Sequence, residues 1–210
     1  MPAAPERLLR ALRRHVADER VLAAIAEVPR DRFVPVARRE EAWDNSPLPI
    51  GAGQTISQPL VVARMCELLH LRGDELVLDV GTGSGYHAAV LARLVRHVHS
   101  IELHEELSRQ AGENLRAAGV GNVTLAVGDG SLGLPEHAPY GAINVAAAAP
   151  HAVPGALLEQ LAPDGRLVVP VEEGEQHLVV ARAAPGGIVL ERFERVRFVP
   201  LVGGDETRFV

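Results

Sequence analysis

A glycine-rich turn is the strongest chemical signal in the sequence. An apolar run leads directly into it, and a helical pattern follows. The turn consists of Gly81, Thr82, Gly83, Ser84 and Gly85. Glycines let a backbone approach a ligand closely, and the N-terminus of a helix offers unpaired N–H groups. The G-x-G-x-G spacing differs from the G-x-G-x-x-G of dinucleotide sites, whose third glycine would fall at Tyr86.

Acidic residues follow the next two apolar runs. Glu102 ends the first of them, with Leu103 after it, and the second ends in Gly128, Asp129 and Gly130. A carboxylate at the first position can accept hydrogen bonds from both hydroxyls of a ribose, and Asp129 could reach an adenine amine. A lone glycine-rich turn is more often only a tight turn. The glycine-rich turn together with acidic residues at the ends of the next two apolar runs is more specific, however, and predicts a nucleoside pocket at the carboxyl edge of an open sheet.

The elements that must position these residues alternate along the chain. After residue 75, five short apolar runs are separated by other segments, among them helical patterns at 86–95 and 105–118. Nearly continuous apolar strands are typical of a parallel sheet that is buried on both faces. Two later stretches, 176–183 and 188–198, have no long connection between them, which predicts an antiparallel pair. We therefore expect the α/β class, with a doubly wound, mostly parallel open sheet and an antiparallel C-terminal strand pair.

The region before this sheet combines short helices with a long aperiodic segment. Apolar residues at helical spacing predict helices around residues 8–16, 21–26 and 60–71. Between them, residues 43–59 are rich in turn formers and show no clear periodicity. Long irregular segments in compact domains are usually functional or disordered, so we expect an ordered binding loop here.

The composition restricts the available chemistry. All 21 basic residues are arginines, against 27 acidic residues, so the net charge is −6 and neither a Schiff-base lysine nor a P-loop lysine is available. The single cysteine, Cys66, allows no intramolecular disulfide or Cys-based metal site; we expect it to be a buried structural thiol in a reducing compartment. The acidic balance and the few aromatic residues argue against a nucleic-acid partner. Without a secretory signal at residues 1–14 or an apolar run long enough to span a bilayer, we expect a cytoplasmic protein.

Three histidines near the second strand, His97, His99 and His104, suggest metal binding at first sight. No cysteine and no clear carboxylate partner accompanies them in the sequence, so we expect no metal site.

The motifs together resemble a known family. VLDVGTGSGY, SIEL, VGDGSLGLPEHAPY, AAAAP and LVVPV are similar to class I S-adenosylmethionine-dependent methyltransferases. RDRFVP, PLPIGAGQTISQP and FVPLVGG narrow the resemblance, over about residues 21–204, to protein-L-isoaspartate O-methyltransferases. The resemblance implies a Rossmann-like methyltransferase fold with an N-terminal helical extension. It also implies a single domain, 1–210, with N-terminal helices and substrate loop at 1–71, a cofactor core at 72–171 and C-terminal strands at 172–210.

The resemblance also implies a reaction. Such enzymes use S-adenosyl-L-methionine to methylate the α-carboxylate of L-isoaspartyl residues in damaged proteins and peptides, and the ester then collapses to a succinimide. We expect the protein to be a monomer that acts on such substrates without a nucleic-acid or membrane partner. Its cofactor would be held by residues of the glycine-rich turn, of the two acidic segments and of the AAAAP segment: Gly81, Thr82, Gly83, Ser84, Gly85, Glu102, Leu103, Gly128, Asp129, Gly130 and Ala146.

The family's active-site serine corresponds to Ser57, and Gln54, Thr55, Ile56 and Val202 would bind substrate. An α-carboxyl group has a pKa of roughly 3.3–3.7 and is already ionised, so the reaction needs no general base. Ser57 would then orient the substrate through a hydrogen bond. The alternative is that Ser57 only caps the following helix, since Gln58-Pro59 comes next.

Four residues depart from the general pattern. His87 stands where the family commonly has Gln, Gly141 where it often has Asp and Ala146 where it often has Thr, while Asn144 is polar in an otherwise apolar strand. We expect these residues to tune the pocket without abolishing it. Trp43 could belong to the core or to a lid, and the lid is favoured because the family has an aromatic residue in the approach to the GQTISQP segment.

Other functions stay open at this stage. The chain could methylate aspartate in a dedicated biosynthetic peptide, or it could be a non-catalytic nucleoside sensor. A dinucleotide oxidoreductase is the weakest alternative because of the glycine spacing.

Overall fold

A central mixed sheet of eight strands organises the part of the chain, residues 5–203, that the computed structural model describes. The helices are α1 Glu6–Leu12, α2 Glu19–Glu27, α3 Pro59–Leu68, α4 Tyr86–Leu91, α5 Glu105–Ala117 and α6 Gly155–Leu158. The strands are β1 Leu48–Gly51, β2 Gln54–Ile56, β3 Leu76–Val80, β4 His97–Glu102, β5 Val123–Val127, β6 Tyr140–Val145, β7 Ala149–Pro150, β8 Leu161–Glu173, β9 Glu175–Ala184 and β10 Gly187–Arg195. None of the described helices has the length and apolar character that a membrane crossing requires.

The strand order explains where a ligand site can form. Along the sheet the strands run β10-β9-β8-β6-β3-β4-β5, with β7 beside β8. Strands β8, β6, β3, β4 and β5 pair in parallel, whereas β8, β9 and β10 pair antiparallel. After β5 the chain returns to the other side of β3, so the sheet has a switch point between β3 and β6. Open α/β sheets bind ligands outside the carboxyl ends of the strands at such a point. The predicted α/β class and antiparallel C-terminal pair are confirmed.

Two hydrophobic clusters sandwich the central strands. Side chains alternate between the two faces along a strand, and Val77 belongs to one cluster while Leu78 belongs to the other. The first cluster also contains apolar residues of α1 to α4, so the N-terminal helices cover one face of the sheet. Central strands that are buried on both faces are what their continuous apolar runs predict.

The edge strands depart from that expectation. No residue of β5 is fully buried, and Val127 is 55% exposed. On the opposite edge, β10 is exposed along nearly its whole length. An apolar run of five residues does not reveal whether its strand is central or lies at an edge, because that depends on which strands pair beside it.

The aperiodic segment before α3 contains a β-hairpin that sequence reasoning missed. Strands β1 and β2 pair antiparallel, with Leu48 opposite Ile56. The turn between them has Gly51, Ala52 and Gly53 at positive φ, and both glycines have open space around the Cβ position. Strands of four and three residues are too short to show a period of two. Trp43 packs against the core and is not among the residues that line the cleft described below, which supports the core alternative, while a lid role stays a prediction.

A buried arginine ties the N-terminal region to the glycine-rich turn. Arg30 is fully buried, and it donates hydrogen bonds from Nε to the Ala42 carbonyl at 2.7 Å and from Nη2 to the Ser46 carbonyl at 3.1 Å. Its guanidinium lies 5.1 Å from the ring centroid of Tyr86, the first residue of α4. Burial lowers the pKa of Arg30 to about 10, so the side chain keeps its charge at neutral pH. This single side chain therefore joins the segment that precedes the hairpin to the start of α4.

We expect Arg30→Ala to lower the free energy of unfolding by about 3 kcal/mol, because two carbonyls lose their donor and a cavity opens. Urea denaturation at pH 7.5 measures the change. The control is Arg38→Ala, which removes an exposed ion pair with Glu41 and should cost less than about 1 kcal/mol. Equal effects of the two substitutions would contradict this role for Arg30.

Candidate active site

The glycine-rich turn leaves β3 at the carboxyl edge of the sheet. Gly81, Gly83 and Gly85 all have φ between +53° and +89°, a region that favours glycine. A Cβ at Gly83 would lie 3.3 Å from the tip of Ile50, so the hairpin rests directly on this turn. Gly85 has a different role, since a Cβ there would lie 3.2 Å from the Ala111 side chain of α5. The first two glycines shape the ligand side, and the third allows helix packing.

Glu102, the last residue of the neighbouring strand β4, holds the glycine-rich turn in place. Its carboxylate accepts a hydrogen bond from the Gly83 N–H at 2.8 Å and another from the His104 N–H at 3.0 Å. The residue is buried, and each of its oxygens retains capacity for a further donor. Glu102 therefore fixes the turn and can still bind two hydroxyl groups of a ligand.

A cleft lies between this edge and the hairpin. It brings together most of the residues that the sequence singled out: Gln54, Thr55, Ile56, Ser57, Gly81, Thr82, Gly83, Ser84, Glu102, Leu103, Ala146 and Val202. Sequence reasoning did not assign several others to the site: Val62, Tyr86, His104, Ala147, Val199, Pro200 and Leu201. The turn, the hairpin and a late segment of the chain thus meet around one space.

Four residues that the sequence grouped with the site, one in the turn and three after β5, do not line the cleft: Gly85, Gly128, Asp129 and Gly130. The Asp129 carboxylate accepts hydrogen bonds from the N–H and the hydroxyl of Ser131, at 2.9 and 2.7 Å. A Cβ at Gly130 would lie 2.5 Å from Val80, so close packing against β3 requires glycine there. A ligand role for these four residues stays a prediction.

Ser57 lies at the junction between the hairpin and α3. It does not cap the helix, because Gln58 is the N-cap residue and makes no side-chain capping bond. The Asn45 side chain instead accepts a hydrogen bond from the Leu60 N–H at 3.0 Å. Within residues 5–203 the Ser57 hydroxyl has no hydrogen-bond partner, and Ser57 lines both the cleft and a second cavity beyond it. The hydroxyl is therefore available to a ligand.

The late segment that closes the cleft is held by the backbone. Ala148 accepts a hydrogen bond from the Leu201 N–H at 2.7 Å and donates one to the Val199 carbonyl at 2.8 Å. These bonds place the Val199–Val202 backbone opposite the glycine-rich turn, next to Ala146 and Ala147. Local sequence patterns could not reveal this placement, because the segment lies about 50 residues after the strand end that holds it.

A buried polar network lies beneath the turn. The Asp79 carboxylate is fully buried and accepts hydrogen bonds from Ser100 Oγ and from Asn144 Nδ2, each at 2.7 Å. Ser100 also shares a hydrogen bond of 2.6 Å with Thr82, a residue of the cleft. Burial raises the pKa of Asp79 to about 6. The only sequence signal for this network was polar residues inside apolar strands.

His87 extends the network towards α3. Its Nδ1 lies 3.2 Å from Asn144 Nδ2, and its Nε2 lies 3.5 Å from Cys66 Sγ. Because Asn144 Nδ2 is a donor, His87 Nδ1 accepts and the proton of the neutral ring belongs on Nε2. Burial lowers the pKa of His87 to about 3 and raises that of the Cys66 thiol well above its ordinary value. Cys66 is thus buried and unreactive, as its apolar neighbours in the sequence indicated.

The histidines of β4 make other contacts. His97 Nε2 lies 2.9 Å from the Thr124 hydroxyl, and the ring of His99 stacks on that of His137 with centroids 4.1 Å apart. Within residues 5–203, no three His, Cys, Asp or Glu side chains are grouped so that they could hold a metal ion.

The family model and three similar proteins are described as protein-L-isoaspartate O-methyltransferases. Residues 3–206 match the family model described as protein-L-isoaspartate(D-aspartate) O-methyltransferase. A protein-L-isoaspartate O-methyltransferase of Roseiflexus castenholzii is 52% identical over 195 residues, which cover 92% of this chain and 88% of the relative. One from Klebsiella pneumoniae is 50% identical over 201 residues, covering 95% and 96%. One from Myxococcus xanthus is 53% identical over 198 residues, covering 91% and 93%.

Solved structures agree with this fold. A protein-L-isoaspartate O-methyltransferase superimposes with a TM-score of 0.84 at 28% identity, over 95% of this chain and 66% of that one. A Plasmodium falciparum protein in complex with S-adenosyl-L-homocysteine superimposes with a TM-score of 0.83 at 24% identity, over 96% of this chain and 99% of that one.

The lowered pKa of His87 predicts that the protein loses stability in acid. Its folded pKa of about 3 lies below the ordinary value of 6.5, so the unfolded chain takes up a proton first as the pH falls. Stability from this group is complete above about pH 6.5 and is lost progressively below it. Relative to His87→Gln, we expect the wild type to lose about 2 kcal/mol between pH 7.5 and pH 5. Urea denaturation measures the free energy of unfolding of both proteins at each pH. Both proteins contain Asp79, so its contribution cancels in the difference between them. A difference that does not change with pH would contradict a buried neutral His87.

Proposed function

The chain belongs to the protein-L-isoaspartate(D-aspartate) O-methyltransferase family, and we propose that it methylates the α-carboxylate of L-isoaspartyl residues in damaged proteins and peptides. S-adenosyl-L-methionine is the methyl donor, and the ester initiates repair through a succinimide. One observation carries the proposal in this structure. The Ser57 hydroxyl has no partner within the described residues and stands where a nucleoside-type cleft meets a second cavity.

The residues of the cleft fit the donor. Gly81 and Gly83 let the backbone approach it, and the Glu102 carboxylate would hold the ribose hydroxyls. Leu103 is 42% exposed and would cover the adenine ring, with Asp129 as the proposed partner of the adenine amine, while Val202 stays a proposed substrate contact. When bound, S-adenosyl-L-methionine supplies a methyl group on a positively charged sulfur. Among residues 5–203, the cleft lining includes a carboxylate and no arginine, which suits that charge.

The substrate side has the opposite charge. The second cavity shares Thr55, Ser57, Ala146 and Val199 with the cleft, and it is also lined by Arg195 and Arg197. A carboxylate substrate would enter from this basic side, and a cationic donor would sit on the acidic side. Ser57 lies on the boundary between them.

The chain's own residues need to supply only alignment. The α-carboxylate is ionised at neutral pH, so no group has to remove a proton. The Ser57 hydroxyl donates a hydrogen bond to one carboxylate oxygen and leaves the other free to react. Ile56 is buried beside it and helps to exclude water. An anion and a cation react to give neutral products, so a dry, well-aligned site favours the reaction more than a strong acid or base would.

The acceptor can be tested with a matched peptide pair, one with isoaspartate and one with aspartate. We expect base-labile methyl ester on the isoaspartyl peptide and little on its partner, because only the isoaspartyl residue has a free α-carboxylate in mid-chain. Ester on the aspartyl peptide would favour a biosynthetic carboxyl methyltransferase. Ester on neither peptide, despite binding of S-adenosyl-L-homocysteine, would favour a non-catalytic sensor.

Ser57→Ala tests the orienting role. Loss of one charge-assisted hydrogen bond should lower kcat by about 10- to 100-fold, while the Kd for S-adenosyl-L-homocysteine stays within about twofold. Single-turnover methylation and calorimetry measure the two quantities. Ser57→Thr keeps the hydroxyl and should recover part of the activity. Equal turnover by wild type and Ser57→Ala would exclude Ser57 from the reaction.

We propose that residues 1–210 act as one unit, in which 1–71 supply the substrate loop, 72–171 the cofactor core and 172–210 the C-terminal strands. A monomer is favoured because hairpin, turn and late segment of a single chain all line the cleft. The single cysteine suits a cytoplasmic location, and the net charge of −6 disfavours a nucleic-acid partner. The partners would then be isoaspartyl proteins and peptides.

A further inference from the structure

The second cavity continues past the reacting centre into a third one, so that a groove leads away from Ser57. The second and third cavities share Gln58, Val61, Arg195 and Val196. The groove therefore follows α3 on one side and the chain segment after β10 on the other. A peptide whose carboxylate reaches Ser57 would have its neighbouring residues in this groove.

Among the arginines that line the groove, Arg197 differs from the others. Arg64 forms ion pairs with Glu67 and with Glu194, and Arg195 lies 2.7 Å from Glu175. Arg197 is exposed and has no ion pair or hydrogen bond to another residue of the described chain. Its guanidinium is the uncompensated positive charge of the groove.

The backbone on both sides of Arg197 is fixed. Val196 donates its N–H to the Gln176 carbonyl at 3.0 Å, and Phe198 donates its N–H to Gln176 Oε1 at 2.6 Å. The Gln176 amide donates in return to the Phe198 carbonyl at 3.3 Å. Arg197 is therefore carried by an anchored segment, which reduces the conformational entropy that binding must overcome.

We propose that Arg197 forms a subsite for an acidic side chain that flanks the isoaspartyl residue, an inference that rests on the proposed function. Arg197 lines the outer cavity but not the cleft, so its partner is not the reacting carboxylate, which must reach into the cleft beside Ser57. The carboxylate of an Asp or Glu next to the isoaspartyl residue would form a hydrogen-bonded ion pair with the Arg197 guanidinium. On a chain with a net charge of −6, such attraction has to be local.

The size of the effect follows from exposure. Exposed ion pairs contribute little, so an acidic residue at the favoured position should lower KM by about two- to fivefold relative to a neutral isostere. Salt screens exposed charges, so the preference should shrink at high ionic strength. The value of kcat should not change, because the pair is equally present before and during methyl transfer.

A series of isoaspartyl peptides tests the subsite, each with Glu or Gln at one flanking position. Wild type, Arg197→Gln and Arg197→Lys are compared by methyl transfer at low and high salt. We expect wild type to prefer Glu at one or two positions, Arg197→Lys to retain part of that preference, and Arg197→Gln to lose it. The control is Arg116→Gln, which removes the same charge from the exposed side of α5 and should keep the preference.

Three results would overturn the subsite. The first is that wild type shows no preference for Glu, and the second is that Arg197→Gln keeps the wild-type preference. The third is that Arg197→Gln lowers kcat/KM equally for the Glu and the Gln peptides. The last would mean that Arg197 attracts the reacting carboxylate. Affinities of the same peptides, labelled with a fluorophore, give a second readout that needs no methyl transfer. If wild type methylates none of the peptides, the proposed function fails, while the labelled Glu and Gln peptides still decide whether Arg197 selects acidic neighbours.

Discussion

A single buried carboxylate holds the functional edge of the sheet together. Asp79 of β3 lies directly opposite Ser100 of β4 and Asn144 of β6, and it bonds to both. A buried charge is costly unless it is hydrogen-bonded, so these three strands are stable only in a register that keeps the row intact. The glycine-rich turn leaves β3 two residues later, and Thr82 bonds to Ser100 in the same row. The position of the turn therefore follows from the row beneath it.

Elements outside the sheet add further walls to the cleft at its carboxyl edge. The hairpin rests on the turn through Ile50 and Gly83, and Arg30 fixes the segment before it. The segment after β10 closes the other side by bonding to Ala148. Because each of these elements packs against the turn or the strand ends, the Ser57 hydroxyl is positioned by the same core that shapes the cleft.

Charges of opposite sign lie on the two sides of Ser57, as the proposed reaction between a cationic donor and an anionic acceptor requires. Glu102 lines the cleft, and Arg195 and Arg197 line the second cavity beyond Ser57. A reaction between a cation and an anion needs the two charges to approach each other without competing partners. The absence of lysine throughout the chain imposes no restriction on such a reaction, since neither a covalent amine nor a proton-transfer group takes part.

Local patterns alone determined much of this protein. Apolar runs located the central strands and the spacing of glycines located the turn, because each of these signals is written within a few neighbouring residues. The segment around Ser57 indicated the acceptor only through its resemblance to a known family. Only the tertiary structure showed the hairpin, whose strands are too short for a periodic pattern, and the exposed edge position of β5. It alone brought His87 to Cys66 and Asn144, which are 21 and 57 residues away along the chain. The physical reason is that a sequence pattern reports whether a side chain is buried, whereas strand order and crossovers decide which side chains it meets.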